Sequence, residues 1–154
     1  MPVRDRSPLS RQILVQATLA GLINLLVNPA IDYLTSRHEP PQRVWGVDGL
    51  VVGFVLTSLI LSTLVGVFSA RAARRLEADG MATPRWLRRL PRRGWSAGLA
   101  LGASAAVVAI AGSWLLSVAG VTTLSLPALM AVKAVYCGTL GFWVARLVIL
   151  RTLA

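Results

Sequence analysis

The sequence predicts an all-α integral membrane protein, a four-helix transmembrane bundle with both termini cytoplasmic. Three observations carry this expectation. Of the 154 residues, 55% are hydrophobic and only 14% are Asp, Glu, Lys or Arg, too few charges to cover the surface of a soluble domain of this length. Residues 49–70, GLVVGFVLTSLILSTLVGVFSA, contain no charge at all, and about 20 apolar residues span the hydrocarbon core. The basic residues behind the net charge of +10 gather in short stretches beside the apolar runs, a pattern of membrane orientation rather than of a nucleic-acid face. No nucleic-acid partner is expected.

The chain reads as a single membrane domain over residues 1–154. Its first apolar stretch follows MPVRDRSPLSR and superficially resembles a signal peptide. That stretch is polar in its middle and lacks a clear small-x-small cleavage site, so it is read as a retained first span near residues 10–34. The second helix is expected near 49–72, with Asp48 placed to cap it by accepting free backbone N–H groups. A basic loop, 71–94, follows. Residues 95–132 are uncharged throughout, and as one helix they would be roughly 57 Å long, nearly twice the core thickness. The break is therefore expected at Gly120 to Pro127, where Gly, Thr, Ser and Pro accumulate. This sets the third helix near 95–118 and the fourth near 125–150, and it leaves Lys133 inside the membrane.

Arginines set the expected orientation. Arg4, Arg6 and Arg11 precede the first helix, and Arg71, Arg74, Arg75, Arg85, Arg88, Arg89, Arg92 and Arg93 lie between the second and third. Arg151 stands near the C-terminus. The opposite side has Arg37 and Arg43, partly offset by Glu39 and Asp48. The positive-inside rule then puts both termini and the long loop in the cytoplasm, and the protein in the inner membrane. Trp95 and Trp143 fall at the inner boundary, and Tyr33, Trp45 and Trp114 near the outer one, as belt residues do. Within the loop, PRWLRRLPRRGW interleaves arginine with Trp86, Leu87 and Leu90. Such a segment can rest at the interface, apolar residues among the headgroups and Arg85, Arg88, Arg89, Arg92 and Arg93 on anionic lipid. Arg146, near the inner boundary, is expected to snorkel.

Polar residues inside the spans are the candidates for function. The first helix carries Gln12, Gln16, Asn24, Asn28 and Asp32 at multiples of four. Asn24, Asn28 and Asp32 share one face of roughly 80°, while Gln12 lies around the other side. Pro29 frees the carbonyl of Leu25 and acts as a hinge, with the Asn28 amide placed to help satisfy the freed backbone. Asn24 is the deep one, level with Lys133, and Tyr136 and Cys137 follow Lys133 at i+3 and i+4. The path candidates are thus Asn24, Asn28, Asp32, Lys133 and Tyr136, lining a polar cavity in which Lys133 attracts an anion. The competing expectation is helix-to-helix glue, with Lys133 bonded to Asn24 or Asn28 or reaching up to Asp32.

Three rows of small residues also stand out. Ser58, Ser62, Gly66 and Ala70 form one on helix two; Gly98, Gly102 and Ala106 form another on helix three, and Ala134 with Gly138 a shorter one on helix four. Such rows let helices approach closely in lipid, and packing within the bundle is the expected use.

Catalysis is not expected. No carboxylate pair, Ser/His or Cys/His constellation occurs in the spans, and no Cys/His cluster has metal spacing, so no metal or cofactor is assigned. A lone His38 excludes a bis-histidine haem within one chain. The lone Cys137, in apolar surroundings, reads as a packing residue. Two function classes remain, the first the expected function and the second its alternative. One is a small permease-like transporter or channel, oligomeric because four short helices enclose little space. The other is a non-catalytic scaffold or accessory subunit, docking a membrane partner through its Gly/Ser faces or its arginine-rich loop.

Overall fold

The computed structural model describes residues 7–37, 41–46, 49–76 and 85–153. Four long helices account for nearly all of it: α1 (Ser7–Ser36), α2 (Leu50–Ala73), α3 (Gly94–Val118) and α4 (Leu126–Thr152). Each is long and apolar enough to cross a membrane, and the chain is an integral membrane protein. The break between α3 and α4 falls where the Gly/Thr/Ser/Pro cluster required it, with Gly120 at φ +87° and Pro127 in the first turn of α4.

α4 and α2 form the centre. α1 packs along α4, α3 packs along α2, and α2 meets α4, whereas α3 touches α4 only lightly. The four helices therefore lie in the spatial order α1–α4–α2–α3. Most of the buried side chains at the centre are small or β-branched, among them Ala17, Val65, Ala97, Cys137, Val144, Ala145 and Val148. Large apolar side chains such as Leu26, Ile60, Phe68, Val107 and Val135 stay exposed on the flanks. This inverts the soluble pattern, as expected where the surrounding solvent is itself apolar.

The α2–α3 seam uses the small-residue rows within the chain. A Cβ on Gly98 would fall on the carbonyl oxygen of Ser62, with the Ser62 carbonyl carbon at 3.0 Å and the Thr63 Cα at 3.1 Å. At Gly102 the Ser58 carbonyl oxygen would stand at 2.6 Å. Backbone meets backbone here, so no side chain can yield. The Gly/Ser faces of α2 and α3 are consequently occupied by each other and do not offer themselves to a partner.

At one end, Ile13, Ala73, Ile149 and Leu153 cluster, which brings both ends of the chain's helical region together. We call this the terminal end. At the opposite end the two connecting loops pair. Strand β1 (Gln42–Arg43) runs antiparallel to β2 (Thr123–Leu124), with Gln42 opposite Leu124 and Arg43 opposite Thr123. The Val44 N–H extends the ladder to the Thr122 carbonyl at 2.9 Å. Val44 is buried among Leu50, Phe54, Ala109 and Leu129, so the ribbon plugs this end. Two-residue strands carry no readable alternation, and the sequence does not announce them.

The residue at the start of α2 is Gly49, without a side-chain cap; Asp48 lies outside the described residues, as do Arg4, Arg6, His38 and Glu39. Within the loop segment, the Leu87 side chain is taken up by protein. Its short 3-10 turn, Arg85–Arg89, docks on α4: Leu87 is 1% exposed, and Arg151 donates through Nε to the Leu90 carbonyl at 3.0 Å. Burying one leucine and bonding the turn's carbonyls to a side chain holds the segment to protein, leaving Trp86, Arg88, Arg89, Arg92 and Arg93 exposed. The side chain of Arg85 lies outside the described set.

Candidate functional site: a polar relay across four helices

The polar face of α1 is its seam with α4. Ile13, Ala17 and Gly21 are buried, with Gln16, Ala20, Asn24, Asn28 and Asp32 partly so, while Gln12 is exposed on another face. A Cβ on Gly141 would stand 2.8 Å from Asn24 Nδ2, and one on Gly21 would stand 3.0 Å from the Gly138 carbonyl oxygen. Glycines on both helices thus draw the axes together and seat the Asn24 amide in the gap.

The amides do not act across this seam. Asn24 Nδ2 donates to the Ala20 carbonyl at 2.7 Å, and Asn28 Nδ2 donates to the Asn24 carbonyl at 3.1 Å. Asn28 therefore does not mend the carbonyl of Leu25 that Pro29 leaves free. A helical side chain tilts back toward the N-terminus and reaches the carbonyl four residues earlier, and from position 28 that is Asn24, not Leu25. Pro29 itself is buried, and α1 runs through it as one helix.

Lys133 takes its partner from the end of the ladder. Its Nζ lies 2.7 Å from Asp32 Oδ1, with the two side chains 12% and 16% exposed. The lysine leaves the backbone two turns inside α4, and its long stem carries the ammonium up toward the ribbon end, where Asp32 stands one turn from the end of α1. Depth counted at the backbone put Lys133 level with Asn24; depth counted at the charge puts it with Asp32. The Asp32 Oδ2 atom is buried without a hydrogen-bond partner among the described residues.

From the ammonium the relay continues across the bundle. Lys133 Nζ lies 5.8 Å from the centroid of the Phe54 ring, a cation–π approach at the outer limit of the useful range. Phe54 meets Tyr136 edge to face at 5.2 Å. The Tyr136 hydroxyl donates to the Ala105 carbonyl at 3.1 Å and lies 2.6 Å from Ser58 Oγ, which is 2.6 Å from the Phe54 carbonyl. Two hydroxyl protons serve three short contacts. The sequence Asp32, Lys133, Phe54, Tyr136, Ser58, Ala105 thereby visits α1, α4, α2, α4, α2 and α3.

Of the path candidates, the structure brings Asp32 and Lys133 together, turns Tyr136 toward α2 and α3, and leaves Asn24 and Asn28 bonded within α1. Sequence reasoning missed Ser58 and Phe54. Ser58 read as one of a row of small residues, and nothing in its local context marks it as the partner of a tyrosine on another helix. Tyr136 also borders an open apolar cleft of about 790 Å³ between α3 and α4, lined by Ala105, Val108, Val132, Val135 and Trp143 among others. No group of three or more His, Cys, Asp or Glu able to hold a metal occurs among the described residues. The chain matches no protein-family model, no curated protein and no solved structure.

Proposed function

We propose that this integral membrane protein is a non-catalytic scaffold or accessory subunit, with the polar relay serving as its internal clamp and the arginine-rich loop as its docking element. The observation that supports this reading is the Lys133–Asp32 ion pair: the intramembrane charge is matched by a carboxylate on another helix, which is how glue behaves. The terminal end, bearing Arg88, Arg89, Arg92 and Arg93, then faces the cytoplasm under the positive-inside rule, in the inner membrane. A partner membrane protein bearing acidic groups meets those exposed arginines, which the turn on α4 presents as a fixed surface. Co-purification of a second membrane protein, lost in the Arg88→Gln/Arg89→Gln/Arg92→Gln/Arg93→Gln variant, tests the reading. A chain that purifies alone from its native membrane, with or without those arginines, overturns it.

One observation favours the transporter or channel reading. Asp32 Oδ2 is buried beside the ammonium with no partner among the described residues, an acceptor of the kind a translocated cation or proton uses. In that case Asp32 and Lys133 exchange partners during the cycle, and the chain works as a homo-oligomer. The discriminating experiment is labelling of Lys133→Cys in a Cys137→Ala background with a small charged thiol reagent from each side of sealed vesicles. Because removing the lysine unpairs Asp32, the same variant is tested with Asp32→Asn added. Rapid labelling in both backgrounds supports transport; protection in the neutral background supports the clamp.

A further inference from the structure

A second charged feature lies at the terminal end, away from the relay. Arg11 of α1 and Arg146 of α4 line one pocket of about 470 Å³ with Ser10, Ile13, Leu14 and Leu150. Among the described residues the lining holds two guanidinium groups and no carboxylate. Both arginines are exposed, neither makes an ion pair among the described residues, and Arg146 is braced over the Trp143 ring at 5.5 Å. The pocket sits within the first turns of α1, where the helix dipole is positive and the first turn itself carries no acidic side chain. Positive potential therefore comes from three sources at one place.

The rest of the lining is apolar. Leu14 is 51% exposed on the flank of α1, and Leu150 faces it from the last turns of α4. Because α1 and α4 are membrane-crossing helices, a group held by the arginines has hydrocarbon directly beside it along Leu14. A planar guanidinium fork matches phosphate oxygens in two-point hydrogen bonding. We propose that this pocket binds the phosphate of an anionic phospholipid, with one acyl chain running along the α1–α4 flank. The lipid would clip α1 to α4 at the end opposite the Asp32–Lys133 pair, so that one seam is held by charge at both ends. The proposal stands whichever functional reading holds.

The test uses the full-length chain in a neutral detergent, melted with added phosphatidylglycerol, phosphatidylcholine or inorganic phosphate, and examined by native mass spectrometry for retained lipid. Phosphatidylglycerol at about five times its Kd is expected to raise Tm by about 2–4 °C over phosphatidylcholine. Arg11→Gln/Arg146→Gln should lose that gain and the retained lipid, while the four-arginine loop variant keeps both. Arg11→Lys/Arg146→Lys preserves charge, so it guards against misfolding of the glutamine variant; it should keep only part of the gain, because a point charge lacks the fork. An equal gain from inorganic phosphate would overturn the lipid as the source and leave a site for free phosphate. A gain that survives in the glutamine variant, or that vanishes equally in the loop variant, overturns the pocket itself.

Discussion

The α1–α4 and α2–α3 seams hold helices together by different means. α2 and α3 meet through Ser62, Gly66, Gly98 and Gly102 with backbone against backbone, and the Ser62 hydroxyl has no hydrogen-bond partner among the described residues, so it serves by its small volume. α1 and α4 also approach through glycines, Gly21, Gly138 and Gly141, but at the ribbon end they are joined by a charged pair. In lipid neither seam gains from hydrophobic burial, so close packing and polar bonds are what remain. Packing depends on shape and is lost when volume is added. An ion pair depends on matching and is lost when one partner is removed. The comparison implies that the two seams should fail under different substitutions.

The largest effect is expected at the charged seam. Lys133→Met leaves Asp32 sheltered and unpaired, at a loss of about 3 kcal/mol, whereas Lys133→Met/Asp32→Asn recovers most of it because neither charge is stranded. Thermal melting of the single and double variants measures this; a double variant as unstable as the single one would show that the pair is not what secures α1. At the small-residue seam, Gly98→Val is expected to destabilise by about 1–3 kcal/mol, since the carbonyl of Ser62 and the Cα of Thr63 cannot step aside. Trimming Ser62→Gly opposite it should recover little, because the obstruction is backbone. Wild-type melting of Gly98→Val would refute the close approach.

Smaller effects sharpen the picture of the relay between the seams. Ser58→Ala removes one contact of the Tyr136 hydroxyl but leaves the Ala105 carbonyl as its acceptor, so a loss of about 0.6 kcal/mol is expected. A double-mutant cycle with Tyr136→Phe reads the coupling directly, and a coupling near zero would remove Ser58 from the relay. The least change is expected from Asn24→Ala. Its amide bonds only to a carbonyl of its own helix, so the loss should stay within about 0.5 kcal/mol. A large effect at Asn24, on stability or on flux, would restore it to a path through the membrane.

Much of this was legible before the helices were packed. The four spans fall within a few residues of the expected bounds because charge and hydropathy are properties of the local chain, and the bilayer sets one length for all of them. The small-residue rows were legible for a similar reason, since spacing alone puts Ser58, Ser62, Gly66 and Ala70 on one face. Lys133 was legible as a buried charge in need of a partner. Which partner was not: the candidates on α1 differ by a turn or two in depth, and a lysine stem spans that difference.

Local composition is enough to mark four segments as long and apolar enough to cross a membrane, and to show which polar side chains travel with them. Only the packed helices reveal that Asp32 answers Lys133, that Tyr136 turns toward Ser58 and Ala105, and that two loops pair through Gln42–Arg43 and Thr123–Leu124. Crossing is governed one segment at a time, by transfer free energy summed along a helix. Partner choice depends on the depth and rotation of two or three helices at once, and no single segment contains that information.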